Sequence, residues 1–82
     1  MDRLTAIREF VTAEFLPELT PQQLDVDYDL VDSGVIDSLG LYVVLAWLNT
    51  EYDLNVHDES VQAVDLRSVS AIVEFVERSR GR

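Results

Sequence analysis

The sequence has no cysteine and no lysine, and it has only three glycines and two prolines in 82 residues. Without cysteine the chain can form no disulfide, no thiolate metal site and no thiol nucleophile. The few glycines form no phosphate-binding loop pattern. The longest apolar run, Leu41–Leu48, is far too short to cross a membrane, and the N-terminus lacks the apolar core of a signal peptide. We therefore predict a cytoplasmic protein without a membrane segment.

Basic residues are absent from the whole stretch between Arg8 and Arg67, which holds thirteen aspartates and glutamates. The net charge of −10 is therefore concentrated in the middle of the chain. Such a field steers association toward basic surfaces and repels nucleic acid and anionic membranes. The alternative is that the acidity only keeps the protein soluble. We expect protein partners, no nucleic acid and no membrane.

Hydrophobic residues make up 48% of the chain, which favours a folded protein despite the charge. The length suits one small domain, residues 1–82, and the apolar spacing predicts an all-α fold. We expect a small four-helix bundle, with three longer helices, one short helix and a long loop between the first two helices. The predicted elements are a helix over Thr5–Leu16, an ordered loop over 17–37, a helix over Ser38–Tyr52, a short helix over Glu59–Val64 and a helix from a Ser68 cap to Arg80.

The second helix is predicted to be apolar nearly all round. A helix of that kind is either wholly buried or offers part of its surface to a partner. Asp37 and Ser38 supply capping side chains at its start. Its inward residues are expected to be Leu41, Val44, Leu45, Leu48 and Tyr52, its opposite face Leu39, Val43 and Ala46 with Tyr42 and Trp47 beside them, the loop anchors Leu24, Val26, Leu30, Val35 and Ile36, and the inward residues near the last helix Leu66, Val69, Ile72, Val73 and Val76.

The acidic loop and the single histidine raise two possible sites, a calcium site and a serine hydrolase site. Residues 25–36 carry acids at positions 1, 3 and 5 of a calcium-loop window, but Leu30 and Ile36 replace the glycine and the closing glutamate that such a loop requires. We expect no metal site there. A serine hydrolase needs a base near Ser38, and His57 lies in a polar connector without an oxyanion loop. We expect no catalytic residue and an exposed His57.

Ser38 is then best interpreted as a residue that is acted upon. Its hydroxyl lies at a predicted helix start, near free backbone N–H groups and the positive end of the helix dipole, where an attached phosphate would be stabilised. The alternative is a plain helix cap that serves stability alone. An attached group would lie beside Leu39 and Val43, inside the acidic field.

The segment from Gly34 to Leu39 resembles the phosphopantetheine attachment motif of acyl and peptidyl carrier proteins, whose core is Asp-Ser-Leu. The resemblance extends over nearly the whole chain, through the order of helices, the acidity and the spacing of Asp29, Leu30 and Gly34 before the motif. It implies that Ser38 carries 4'-phosphopantetheine, with Asp37 and Leu39 as its motif neighbours, and that the arm holds cargo as a thioester.

The resemblance also implies the partners. A phosphopantetheinyl transferase would load the arm from coenzyme A with magnesium, so the chain would be a substrate of that enzyme and not an enzyme itself. An acyltransferase or an adenylation enzyme would then load the cargo, and ketosynthases, condensation enzymes or tailoring enzymes would take it up. We expect a monomer that makes weak, fast contacts with each partner.

The second helix departs from the fatty-acid type of carrier, in which acids follow the Asp-Ser-Leu motif. Gly40, Val43, Asn49 and Thr50 stand where acids would be expected. We therefore expect apolar partner contact through Leu39, Tyr42, Val43 and Ala46, although packing of Val43 against the loop would explain the pattern equally well. The chain is more similar to discrete carriers of polyketide or nonribosomal peptide pathways, such as those of antibiotic biosynthesis. We favour a polyketide-type acyl cargo, with an aminoacyl or peptidyl cargo as the alternative and an acidic calcium-binding or interaction protein as a remote one.

Overall fold

The computed structural model describes residues 2–57 and 60–80, and these residues form helices and turns but no strand. The prediction of an all-α fold is therefore confirmed. None of the described helices is long and apolar enough to cross a membrane. In chain order the helical elements are α1 (Arg3–Phe15), a 3-10 turn at Pro21–Gln23, α2 (Ser38–Glu51), a 3-10 turn at Ala63–Leu66 and α3 (Val69–Arg80).

The first helix, α1, begins two residues before the predicted start. The Asp2 side chain caps it by accepting a hydrogen bond of 2.7 Å from the N–H of Thr5. Ile7 and Val11 are buried against the core. The helix ends at Phe15, two residues before Pro17, as expected because proline disfavours helical backbone in the residue before it.

The segment between α1 and α2 is an ordered loop, as predicted. Leu24, Leu30 and Ile36 are 3%, 0% and 1% exposed, so they anchor the loop in the core. Main-chain hydrogen bonds also join the loop to the other end of the chain. The N–H of Leu30 donates to the carbonyl of Arg67 at 2.6 Å, and the N–H of Ser70 donates to the carbonyl of Val26 at 2.9 Å.

The second helix, α2, spans Ser38–Glu51 and confirms the helix that the apolar spacing predicts. Val44, Leu45 and Leu48 are buried, while Leu41 and Tyr52 are partly buried and pack on the core. Trp47 stacks on Phe10 of α1 with ring centroids 4.2 Å apart. This stacking covers one side of α2, so the apolar surface that remains open lies near the start of the helix.

The element before α3 differs from the predicted short helix over Glu59–Val64. The structure has a four-residue 3-10 turn at Ala63–Leu66, so a fourth α-helix is not found in the described residues, and Glu59 lies outside them. Buried Leu66 holds the turn, and the Asp65 carboxylate accepts a hydrogen bond from the N–H of Gln62 at 3.0 Å. A segment this short accommodates the tighter 3-10 geometry.

The last helix, α3, begins as predicted. The hydroxyl of Ser68 accepts a hydrogen bond from the N–H of Ala71 at 3.1 Å and caps the helix. Val69, Ile72 and Val76 are fully buried, and Val73 is partly buried. Phe75, which the sequence analysis did not assign to the core, is only 6% exposed.

Candidate functional site

Ser38 is the first residue of α2, and its side chain is exposed. The residue before it, Asp37, has extended backbone and caps the helix, because its carboxylate accepts the N–H of Gly40 at 2.8 Å. The prediction that Asp37 caps α2 is confirmed, but Ser38 adds no cap. Within the described part of the chain the Ser38 hydroxyl makes no hydrogen bond. Capping by Asp37 therefore leaves this hydroxyl available for chemistry.

The surroundings of Ser38 fit an attached phosphate. The first-turn N–H groups of a helix have no partner within the helix and carry the positive end of its dipole. Gly40 already gives its N–H to Asp37, so the N–H groups of Ser38 and Leu39 are those left for a negatively charged group at the serine. The site can therefore hold a phosphodiester at a solvent-facing hydroxyl.

A cleft of about 190 Å³ opens beside Ser38, between α2 and the segment around the second 3-10 turn. We call it the Ser38 cleft. Its wall is mainly aliphatic, and none of the described residues that line it is charged. Such a cleft suits an extended, weakly polar chain that starts at the serine. The lining residues are Ser38, Leu41, Tyr42, Leu45, Val61, Gln62 and Leu66.

An apolar strip lies on the outward face of α2 next to the cleft, and it consists of Leu39, Tyr42, Val43 and Ala46. Leu39 is 71% exposed, Tyr42 is 57% exposed and Ala46 is also exposed. Val43 is only partly buried and does not belong to the core cluster. Val64 in the second 3-10 turn is also 53% exposed. Large apolar side chains left open to water in this way are typical of protein contact surfaces.

The structure explains two of the positions at which α2 departs from the fatty-acid type of carrier. Gly40 is buried, so it cannot hold an exposed acid. The Asn49 amide donates to the carbonyl of Val56 at 2.9 Å and accepts the N–H of Val56 at 3.3 Å. Asn49 thus fixes the connector after α2. Of the four positions at which α2 lacks the expected acids, only Val43 and Thr50 are left without a structural explanation of this kind.

The acidic loop is held by the two arginines that flank the central stretch. Arg8 donates to the carbonyls of Leu24 at 2.9 Å and Gln22 at 3.2 Å, and Arg67 pairs with loop carboxylates. The Nε of Arg67 donates to the Asp29 carboxylate at 3.1 Å, a second guanidinium N–H bonds the same oxygen, and Asp32 lies 3.7 Å away. The hydrogen bonds from Arg67 hold the pKa of Asp29 below its ordinary value, and the N–H of Asp32 adds to this effect. Two arginines do not neutralise the six carboxylates of residues 17–37, so the field beside Ser38 stays negative.

Core residues occupy the two positions at which a calcium loop has its turn glycine and its closing ligand. Leu30 and Ile36, at the positions of the turn glycine and the closing ligand, are fully buried core anchors. Across residues 2–57 and 60–80 no group of three or more His, Asp or Glu side chains is arranged to hold a metal ion.

His57 and Ser38 are not brought together. His57 is exposed, as predicted, and lines a separate hollow with Ala46 and Asn49. The Ser38 cleft contains no histidine. The arrangement of described side chains therefore gives no serine–histidine pair for nucleophilic catalysis.

Comparison with known proteins agrees with this geometry. A family model described as the phosphopantetheine attachment site matches residues 6–76. The solved structure of KstB-PCP in its apo form, a peptidyl carrier protein, is similar to this chain with a TM-score of 0.72 and 40% sequence identity, covering 98% of this chain and 88% of that one. No curated protein matches the chain significantly.

The chain belongs to the phosphopantetheine-binding carrier family. Members of this family are carriers and not catalysts, and a phosphopantetheinyl transferase attaches 4'-phosphopantetheine to them covalently. The resemblance that the sequence shows to acyl and peptidyl carriers is therefore confirmed. The sequence did not indicate the Ser38 cleft, because its far wall comes from Val61 and Gln62, which carry no chemical signal in the sequence.

Proposed function

We propose that Ser38 is the attachment residue for 4'-phosphopantetheine. The observation that carries the proposal is the exposed Ser38 hydroxyl on the first turn of α2, left without a hydrogen bond because Asp37 caps the helix. Asp37 and Leu39 contribute as motif neighbours, Asp37 by fixing the first turn and Leu39 by its exposed side chain. When attached, the arm supplies the thiol that holds cargo as a thioester.

In the loading step the Ser38 oxygen attacks the phosphorus of coenzyme A that bears the pantetheine. The new serine O–P bond forms as the bond from that phosphorus to the nucleotide's phosphate breaks, and the nucleotide leaves. The described part of the chain places no base on Ser38, so the hydroxyl proton passes to a base of the transferase. The free first-turn N–H groups stabilise the phosphodiester that results.

Intact-mass measurement tests the attachment residue. After incubation with coenzyme A, magnesium and a broad-specificity phosphopantetheinyl transferase, the wild-type chain is expected to gain one phosphopantetheine. Ser38→Ala is expected to gain none, and the matched control Ser33→Ala, an exposed serine in the preceding loop, is expected to load normally. A Ser38→Ala chain that still gains the group would refute the assignment.

We further propose that partner enzymes dock on the apolar strip of Leu39, Tyr42, Val43 and Ala46. The exposure of Leu39 and Tyr42 supports this, because the fold gains little from apolar side chains that stay in water. The acidic loop nearby favours partners with a basic rim around an apolar centre. The transferase, the loading enzyme and the downstream ketosynthase, condensation or tailoring enzymes would share this surface.

The similarity to KstB-PCP supports an aminoacyl or peptidyl cargo loaded by an adenylation enzyme. A polyketide-type acyl cargo, which the sequence analysis favoured, is the second candidate, since the mainly aliphatic wall that the described residues give the Ser38 cleft suits an acyl chain. The two cargo classes are distinguished by offering the carrier that bears phosphopantetheine separately to adenylation enzymes with amino acids and to acyltransferases with acyl-coenzyme A. Thioester formation with acyltransferases alone would refute the aminoacyl assignment.

A single domain over residues 1–82, a monomeric state and a cytoplasmic location stay predictions of the sequence. Sedimentation of the purified chain measures the monomeric state.

A further inference from the structure

Gly40 is buried in the first turn of α2, two residues after Ser38. A Cβ atom at this position would lie 3.1 Å from Cγ2 of Ile36, 3.2 Å from Cε1 of Phe15 and 3.4 Å from Oδ1 of Asp37. The first two separations are shorter than ordinary van der Waals contacts. Any other residue at position 40 therefore requires a shift of a few tenths of an ångström, either of the Phe15 or Ile36 side chain or of the first turn of α2.

The backbone itself does not require glycine here. Gly34 has a positive φ of 84°, whereas Gly40 has ordinary helical backbone that any residue can adopt. Within a helix glycine costs about 1 kcal/mol relative to alanine. The close approach of Phe15 and Ile36 is the feature of this structure that glycine makes possible.

Gly40 also connects the Asp37 cap to the contact with Phe15 and Ile36. The N–H of Gly40 donates to the Asp37 carboxylate, which directly precedes Ser38. Ile36 is held on the other side, because its N–H donates to the carbonyl of Leu30 at 2.8 Å and its side chain is buried. The turn that carries Ser38 thus packs on the partly buried Phe15 ring and the buried Ile36 side chain, and Gly40 lies at the point of contact.

We propose that Gly40 is a positioning residue for Ser38: it sets how closely the first turn of α2 sits on Phe15 and Ile36, and thereby where the serine hydroxyl stands relative to the loop and the apolar strip. The proposal rests on the proposed function of Ser38 as the attachment residue. Reactions between two macromolecules are sensitive to such placement, since a shift of about 1 Å can cost about 100-fold in rate.

The test is the kinetics of phosphopantetheine transfer to Gly40→Ala. A displacement of a few tenths of an ångström is expected to lower kcat about tenfold. KM is expected to change by less than about twofold, because Tyr42 and Ala46 lie beyond the first turn and keep the docking contact. Hydrogen exchange of the residue-40 amide is expected to be faster than in the wild type, as the bond to Asp37 is strained.

Two further variants separate positioning from stability. In Phe15→Leu/Gly40→Ala the ring atom nearest to the new methyl group is removed. The first turn can then settle toward position 15 and away from Cγ2 of Ile36, so kcat is expected to return to within about threefold of the wild type. Phe15→Leu alone is the reference for that comparison. Thr50→Ala is the control on α2, because it also introduces a better helix former but does so at an exposed position away from Ser38, and it is expected to leave kcat unchanged.

Each outcome decides the proposal. A folded Gly40→Ala chain with wild-type kcat overturns it, and so does a loss of rate that the Phe15→Leu change does not rescue. If Gly40→Ala does not fold, the double variant is measured alone, and failure of both to fold assigns the contact to stability and overturns the proposal. Loading of the wild type at a residue other than Ser38 refutes the proposed function instead, and that result is visible before any Gly40 variant is made.

Discussion

The helices α2 and α3 bury similar inward faces but differ on their outward faces. α3 turns Glu74, Glu77 and Arg78 to water, as a surface helix normally does. α2 turns Leu39 and Tyr42 to water. The fold does not need this second apolar face, because α3 shows that one buried face is enough to seat a helix in this core. The difference supports the proposal that the outward face of α2 serves contact with other proteins.

The largest expected effect is a loss of stability when the buried inward face of α2 or α3 is truncated. Leu48 of α2 and Ile72 of α3 are both 0% exposed. We expect Leu48→Ala and Ile72→Ala each to lower the free energy of unfolding by about 3 kcal/mol, because each leaves a cavity in the core. Urea unfolding measures this. A loss below about 1 kcal/mol at either position would contradict the equivalence of the two inward faces.

The next effect separates the two outward faces. Val43→Glu places a charge in the apolar strip, and we expect it to lower kcat/KM for loading about tenfold, equivalent to about 1.4 kcal/mol of binding, while the free energy of unfolding changes by less than about 0.5 kcal/mol. Thr50→Glu adds the same charge to an exposed position of α2 away from Ser38 and is expected to load normally. Unchanged loading and transfer by folded Val43→Glu would show that Val43 only packs against the loop.

The helix caps provide a smaller test of the same comparison. Asp37 caps α2 and Ser68 caps α3, so replacing either by alanine is expected to cost about 1 kcal/mol of stability. Only Asp37→Ala is expected to slow loading, because only that cap fixes the turn with Ser38. Asp37→Asn retains the cap without the charge. If it is as slow as Asp37→Ala, the charge and not the cap is responsible.

The smallest effect is that of the ion pair between Asp29 and Arg67. Since the pKa of Asp29 is lowered in the folded state from its ordinary 3.8, its stabilising effect is complete above that pH and is lost as the pH falls further. We expect Asp29→Asn to lower the urea midpoint slightly at pH 7, with the difference from wild type vanishing in strong acid. The control is Asp27→Asn in the same loop. A difference that persists unchanged in acid would contradict the assignment.

Much of the fold follows from periodicity alone. The start of α2 and the Ser68 cap are as predicted, and α2 ends one residue before the predicted end, because apolar spacing and capping side chains are local signals. Phe75 was missed although it follows Ile72 at a helical interval, since the neighbouring valines already filled the expected stripe. The predicted short helix over Glu59–Val64 overlaps 3-10 backbone at Ser60 and the 3-10 turn at Ala63–Leu66, because no local signal distinguishes a 3-10 turn from one turn of α-helix. The end of the turn is set by where Leu66 reaches the core.

The candidate site was predictable only in part. The motif around Ser38 is local, so the sequence located it directly. The steric role of Gly40 and the hydrogen bonds of Asn49 depend on Phe15 and Val56, which are distant or separated by a turn, and the sequence analysis therefore treated both residues as missing surface acids. Sequence patterns report which residues are apolar or polar, but they do not report which side chains meet.

The hydrogen bonds that join the loop to α3 bear on the thermodynamics of association. Through Leu30 and Val26 the loop is already paired with the chain that follows the second 3-10 turn, so a partner does not have to order it on arrival. Association then costs less conformational entropy than docking onto a flexible segment would, and a small contact area is sufficient for a specific encounter. A small contact also dissociates quickly. A carrier that visits several enzymes in succession is served by that combination of specificity and short residence.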